Sequence, residues 1–162
     1  MEKEVVLNKE SRYLKVIEDL YHLLEGETDE ISVMSTICCE VFNAFDEFSW
    51  VGFYRLTDTE LMKVGPYQGG HGCLVIPFSK GVCGKAATEK MSQLVKDVNA
   101  LPYHIACSSK TQSELVVPVI DKEGKVRAVF DLDSEIIDYV DDTDLKYVEI
   151  ICSIVSNLYT AK

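Results

Sequence analysis

Six cysteines divide into two kinds of setting along this chain of 162 residues. Cys73, Cys83 and Cys107 each sit beside glycines or in a loop: His71-Gly72-Cys73, Gly81-Val82-Cys83-Gly84 and His104-Ile105-Ala106-Cys107. Cys38, Cys39 and Cys152 fall within helical apolar patterns, where a thiol behaves as a small hydrophobe. The first group suits thiol chemistry, since reactive cysteines occupy accessible, polarised positions. Cys83 stands at the start of a short helix with Lys85 close behind, and both features predict a lowered thiol pKa. Cys107 lies in Asp97 to Ser113, a stretch with no clear period and longer than most loops of compact domains.

Two further groups could work with a thiol. Asp131 and Asp133 are i and i+2 in a strand-like run, so they share a face, and Glu114 opens the preceding run and could join them. Three neighbouring carboxyls cannot all ionise cheaply, which would keep a proton donor at neutral pH or receive a ligand ammonium. The plain alternative is a solvated strand end. In the run from Phe48 to Leu56, Phe48, Trp50, Gly52 and Tyr54 are expected on one face. Gly52 there predicts an empty slot between two aromatic walls, suited to a methyl thioether. Ordinary core packing of the only tryptophan is the alternative. A zinc site from His71, Cys73, Cys83, His104 and Cys107 lacks the close-paired ligands such sites use, so no metal or cofactor is expected. The run Gly65-Pro66-Tyr67-Gln68-Gly69-Gly70 lacks the order of a phosphate loop, and Gln68-Gly69-Gly70-His71-Gly72 reads as a flexible wall of a site.

The elements that must hold these groups are helices at both ends and strands between. Leu14, Ile17, Tyr21 and Leu24 predict a helix from about Lys9 to Glu25 with that stripe inward, and Gly26 stops it. A second helix is predicted from about Asp29 to Phe45, and a last one from Asp141 onward carrying Leu145, Val148, Cys152, Val155 and Tyr159. Strands are predicted over Phe48 to Leu56, Leu61 to Gln68, Cys73 to Phe78, Glu114 to Ile120 and Lys125 to Asp133. Within the last, Val126, Ala128, Phe130 and Leu132 should face one way, and Arg127, Val129, Asp131 and Asp133 the other. A short helix from Gly81 to Lys90 interrupts the strands. This order fits an α+β fold: a mainly antiparallel sheet, the N- and C-terminal helices on one face, a ligand site on the other.

Composition bounds the function. A net charge of −11 argues against nucleic acid and anionic membrane surfaces, both of which need basic protein surface. The charged N-terminus and the lack of a long apolar run predict a cytoplasmic location, where thiols stay reduced.

In combination, several motifs resemble one family. Gly65-Pro66-Tyr67-Gln68-Gly69, His71-Gly72-Cys73, Lys80-Gly81-Val82-Cys83-Gly84, Asp97-Val98-Asn99, Tyr103-His104-Ile105-Ala106-Cys107, Ser113-Glu114-Leu115-Val116-Val117-Pro118 and Asp131-Leu132-Asp133-Ser134 look like the free methionine-(R)-sulfoxide reductases, which are built on the GAF fold. The resemblance spans roughly Ile31 to Leu158. It implies one GAF-like domain over 1–162, with a leading helix in 1–28 and the core in 29–160. It implies that Cys107 is the catalytic thiol and that Cys83 and Cys73 resolve the oxidised intermediate. Trp50 and Tyr54 would surround the substrate methyl group, and Glu114, Asp131 and Asp133 would be the acids of the substrate site. The implied reaction reduces free methionine-(R)-sulfoxide through a sulfenic acid and an intramolecular disulfide, recycled by thioredoxin or a similar dithiol. Any expectation of a homodimer comes from the resemblance alone. Two positions depart from the pattern: Ser108 follows Cys107 in place of an aspartate, and His71-Gly72 precedes Cys73 in place of a Lys-x-Ala sequence. The alternative function is a GAF small-molecule sensor that binds without turnover, for which replacing cysteines would leave affinity intact.

Overall fold

The computed structural model describes residues 7–103 and 107–159, so His104, Ile105 and Ala106 lie outside the described residues. Capping explains where the long helices begin. Asn8 accepts from the Ser11 N–H at the head of α1 (Lys9–Leu23), and Asp29 from the Ser32 N–H at the head of α2 (Glu30–Ala44). Asp141 and Asp144 cap α4 (Asp142–Ser156) reciprocally, each side chain accepting from the other's backbone N–H. Between α2 and α4 run β1 (Phe48–Asp58), β2 (Leu61–Gly69), β3 (Val75–Pro77), α3 (Gly81–Glu89), β4 (Gln93–Val95), β5 (Ser113–Ile120) and β6 (Val126–Ser134).

Every strand pair is antiparallel, and the sheet order is β3-β2-β1-β6-β5-β4. The sheet divides two apolar clusters. On one face α1, α2 and α4 cover Val51, Phe53, Leu115, Val117, Phe130 and Leu132. On the other, Val82, Cys83, Ala86 and Ala87 of α3 join Trp50, Tyr54, Met62, Ile76, Val116 and Val129 in the second cluster. The chain thus has the expected α+β arrangement, with the terminal helices on one face and the chemistry-bearing residues on the other. No helix among the described residues is long and apolar enough to cross a membrane.

Local departures from strict periodicity correct several expectations. In α1 the inward residues are Tyr13, Val16 and Leu20, whereas Leu14 and Tyr21 are 53% and 61% exposed. The inward stripe is therefore displaced from the one expected, and Ile17 and Leu24 only flank the core. Phe48 packs with the helix-side cluster rather than beside Trp50, because the β1–β6 register shifts between these residues and reverses the alternation. Val126 likewise joins the α3-side cluster, since the β5–β6 register slips between Val119 and Ile120. The 3-10 turn Val98–Ala100 interrupts the segment Asp97 to Ser113 expected to be one loop, and the short strand β4 just before it was not expected.

Candidate active site

The register of three adjacent strands builds the acidic row. Trp50 lies opposite Asp133, and Asp133 opposite Glu114; one step on, Gly52 lies opposite Asp131, and Asp131 opposite Val116. Asp131 and Asp133 do share a face, and Glu114 joins them there. Cross-strand neighbours at such distances interact directly. Helix α3 closes over this row. Gly84 lets the helix lie close against the end of β3, since a Cβ there would come within 2.6 Å of the Phe78 carbonyl oxygen. Cys83, one residue earlier, is buried and donates its thiol to Asp131 Oδ2 at 3.4 Å.

Burial and mutual repulsion raise every carboxyl of this cluster. The Glu114 carboxyl is pushed up to about 8, first by burial and then by the charge of Asp133. Asp131 is raised by burial and by Glu114, with which it shares a hydrogen bond, and Asp133 by burial and by Asp131. The Cys83 thiol is raised too, by burial and then by Asp131, Glu114 and Asp133. This overturns the lowered thiol expected from the helix start and Lys85. Burial, and after it the three carboxyls, outweigh the helix end, and Lys85 points elsewhere, to the Tyr103 hydroxyl at 3.2 Å. Cys83, Glu114 and Asp131 bring ligand atoms within 4.8 Å of one another. Taking up a divalent cation there would require displacing the protons that burial holds on them.

Beside this row Tyr54, Trp50 and Tyr67 form a continuous stack, with centroid separations of 5.5 and 5.4 Å. The slot expected above Gly52 is not empty. The Trp50 indole lies across it, and a Cβ on Gly52 would approach the ring within 2.4 Å. Glycine is needed so that the indole can lie flat on the backbone. Tyr67, opposite Gly52, escaped the sequence reading; only the hairpin register could have revealed it.

Two anchored loops bring Cys73 and Cys107 together. The first is held by the Trp50 Nε1–H, which donates to the Gly70 carbonyl at 3.0 Å, and by the Val64 N–H, which donates to the Leu74 carbonyl at 3.0 Å. The second is tied at its ends: the Val98 N–H donates to the Gln112 carbonyl, and Asn99 Nδ2 to Gln112 Oε1 at 3.0 Å. Cys73 and Cys107 form a disulfide with their Cα atoms 5.4 Å apart. Cys83, by contrast, is a free thiol beneath the acids, and Cys38, Cys39 and Cys152 are free on α2 and α4.

A cavity of about 390 Å³ opens between the two loops, lined by Trp50, Tyr54, His71, Gly72, Cys107 and Asp133 among others. Cys107, Ser108, Thr111 and Asp133 also line a recess of about 20 Å³ that leads inward to Lys80, Cys83, Glu114 and Asp131. Thr111 and Lys80 were not anticipated from the sequence. A larger cavity, about 770 Å³, lies by the β1–β2 and β5–β6 turns, but its walls contain no cysteine or tryptophan. Its size is outweighed by the chemistry of the smaller one. A disulfide sulfur that reduction would free as a thiol, raised carboxyls and aromatic faces converge in and beside that cavity, a combination fit for nucleophilic attack with proton donation.

Comparison with known proteins places this arrangement among relatives. Residues 27–158 match the GAF domain family. Free methionine-R-sulfoxide reductase of Saccharomyces cerevisiae is 33% identical, covering 93% of this chain and 87% of the yeast protein. The Escherichia coli protein of the same name is 33% identical over 85% of this chain and 82% of its own length. The X-ray structure of free methionine-R-sulfoxide reductase from Neisseria meningitidis in complex with its substrate is 35% identical. It superimposes with a TM-score of 0.89 over 94% of this chain and 91% of that one.

Proposed function

The chain belongs to the free methionine-R-sulfoxide reductases, a family built on the GAF domain, and from that premise we propose how its residues carry out the reduction. The Cys107 thiolate attacks the sulfoxide sulfur of free methionine-(R)-sulfoxide. A neutral carboxyl, Glu114 or Asp133, gives its proton to the sulfoxide oxygen. Methionine leaves with the electron pair, and Cys107 carries the oxygen as a sulfenic acid. The Cys73 thiol then attacks the Cys107 sulfur, water departs, and a disulfide joins the two. A dithiol of the thioredoxin type returns both to thiols.

The other groups fit around that sequence. The substrate methyl group rests against Trp50 and Tyr54. A carboxylate among the acids receives the α-ammonium, which favours a free amino acid over a peptide-bound residue. The first turn of α3 has no side-chain cap and opens on the recess beside Lys80, which suits the α-carboxylate. Cys83 keeps its proton and orients Asp131, leaving resolution to Cys73.

The observation that supports this reading most is that Cys107, paired with Cys73, lines the same cavity as Asp133 and the same recess as Glu114 and Asp131. The test is turnover with dithiothreitol and each diastereomer of free methionine sulfoxide, with methionine as the measured product. The R form should be consumed, and failure to consume it would sink the assignment. Cys107→Ser should be inactive; near-normal activity would move the nucleophile elsewhere. Substrate added without reductant should consume two thiols per chain, whereas a sensor would consume none.

A further inference from the structure

We propose that Cys73-Leu74-Val75 is the docking strip for the dithiol protein that recycles the enzyme, and that Cys73 is the sulfur this partner attacks. The inference rests on the reductase reading above. Its first support is exposure. Leu74 is 73% exposed, more than any other large hydrophobic residue among those described, and Val75 is 46% exposed. Both directly follow a cysteine of the disulfide.

The second support is the backbone. β3 is the last strand of the sheet, with β2 as its paired neighbour. The Val64 N–H donates to the Leu74 carbonyl and the Phe78 N–H to the Glu60 carbonyl, so the even-numbered peptide groups turn toward β2. By the alternation of an antiparallel ladder, the Val75 N–H and C=O turn outward. Such an edge offers hydrogen bonds to an extended segment of another protein, and alternate side chains add contact. Pro77, without an N–H, limits the template to the residues next to Cys73. Lys63, exposed opposite Val75, places a positive charge beside the strip on a chain of net charge −11. The partner that fits presents an extended segment beside its dithiol, with an apolar rim and an acidic group opposite Lys63.

The third support is the setting of each sulfur. Cys107 lines both the cavity and the recess, Cys83 is buried in the recess wall, and Cys73, half-buried against the α3-side cluster at the head of the strip, lines neither. A partner thiolate approaching along the strip meets Cys73. It forms a mixed disulfide there, and the Cys107–Cys73 bond breaks with Cys107 leaving as a thiolate that faces the substrate cavity. The partner's second thiol then attacks its own sulfur in the mixed disulfide and releases Cys73 as a thiol. Two electrons pass from the dithiol to the pair, and the partner leaves as a disulfide.

The test compares two reductants. Leu74→Asp and Lys63→Glu should each lower kcat/KM for thioredoxin about tenfold and leave turnover with dithiothreitol unchanged. Met91→Asp, at another exposed apolar site, should change neither. Thioredoxin with its second cysteine replaced by serine should be trapped on the oxidised enzyme, and peptide mapping should find the link at Cys73. A link at Cys107 overturns the attacked sulfur, and unchanged thioredoxin kinetics in both strip variants overturn the docking strip. If dithiothreitol supports wild-type turnover and thioredoxin does not, the partner class is wrong. Absence of turnover with dithiothreitol would instead refute the underlying reductase reading.

Discussion

Asp144 and Asp131 are both deeply buried, yet their surroundings have opposite chemistry. Asp144 is enclosed by donors: Lys9 Nζ at 2.6 Å and the Asp141 N–H at 2.9 Å reach Oδ2, and the Tyr13 hydroxyl at 2.7 Å reaches Oδ1. Burial pushes its carboxyl up, while Lys9, Tyr13 and the Asp141 N–H pull it back. Asp131 meets a thiol and another carboxyl, and its Oδ1 is buried without a hydrogen-bond partner. Burial and Glu114 therefore raise it together. One acid ties the N-terminal helix to the C-terminal one; the other sits where a ligand can complete it. Burial alone thus does not mark a working acid, and the kind of neighbour does.

The comparison breaks most visibly in catalysis. Glu114→Gln should lower turnover on the order of 10²- to 10⁴-fold while the protein stays folded, because a proton donor is lost and a similar shape retained. Undiminished kcat in steady-state assays would remove Glu114 from the proton path. Stability should show the next largest effect. The folded protein holds the Glu114 proton with a pKa of about 8, against 4.5 for the unperturbed group. Ionising it therefore costs folded stability. The contribution is whole below about pH 4.5 and is lost as pH rises toward 8, amounting to about 3 kcal/mol between pH 5 and 8. Asp131 and Asp133 shift in the same direction and reinforce the trend. Urea titrations across that window should show the decline, and Glu114→Gln should flatten it. A wild-type profile that rises instead would mean the acids are ionised in the fold.

How much of this was legible beforehand follows from which forces are local. Period-two alternation in Lys125 to Asp133 is local, so the pairing of Asp131 with Asp133 on one face could be read directly. The opening of the preceding strand by Glu114 pointed to the third acid. The slip at Phe48 could not be read, because a register shift is set by the partner strand. The same holds for Tyr67, which reaches Trp50 through the β1–β2 register. Strand β4 is three residues long, too short for a period to emerge. The inward stripe of α1 was misread because Leu14, Ile17, Tyr21 and Leu24 form a stripe as regular as the buried Tyr13, Val16 and Leu20. Only packing against α2 and α4 decides between them. The Cys83 thiol illustrates the sharpest limit. Its helix position was visible, but its burial against three carboxyls distant in sequence was not, and burial leads the rise of its pKa.

The donor-enclosed side of the comparison can be probed at two strengths. Asp144→Asn should cost about 3 kcal/mol in urea unfolding, since removing one partner of a buried ion pair strands the other. Activity per folded molecule should not change, because Asp144 lies on the helix side of the sheet. Tyr13→Phe is the subtler probe. It deletes only the hydroxyl donated to Asp144, while the ring keeps its contacts with Phe45 at 4.3 Å and Tyr147 at 5.5 Å. The expected loss is about 1.5 kcal/mol, the scale of one hydrogen bond to a buried charged group. It should fall with acidification, because a protonated Asp144 depends less on a donor at Oδ1. A loss that is equal at pH 4 and pH 8 would assign the effect to packing, and Asp144 would then owe its place to Lys9 and its own helix cap.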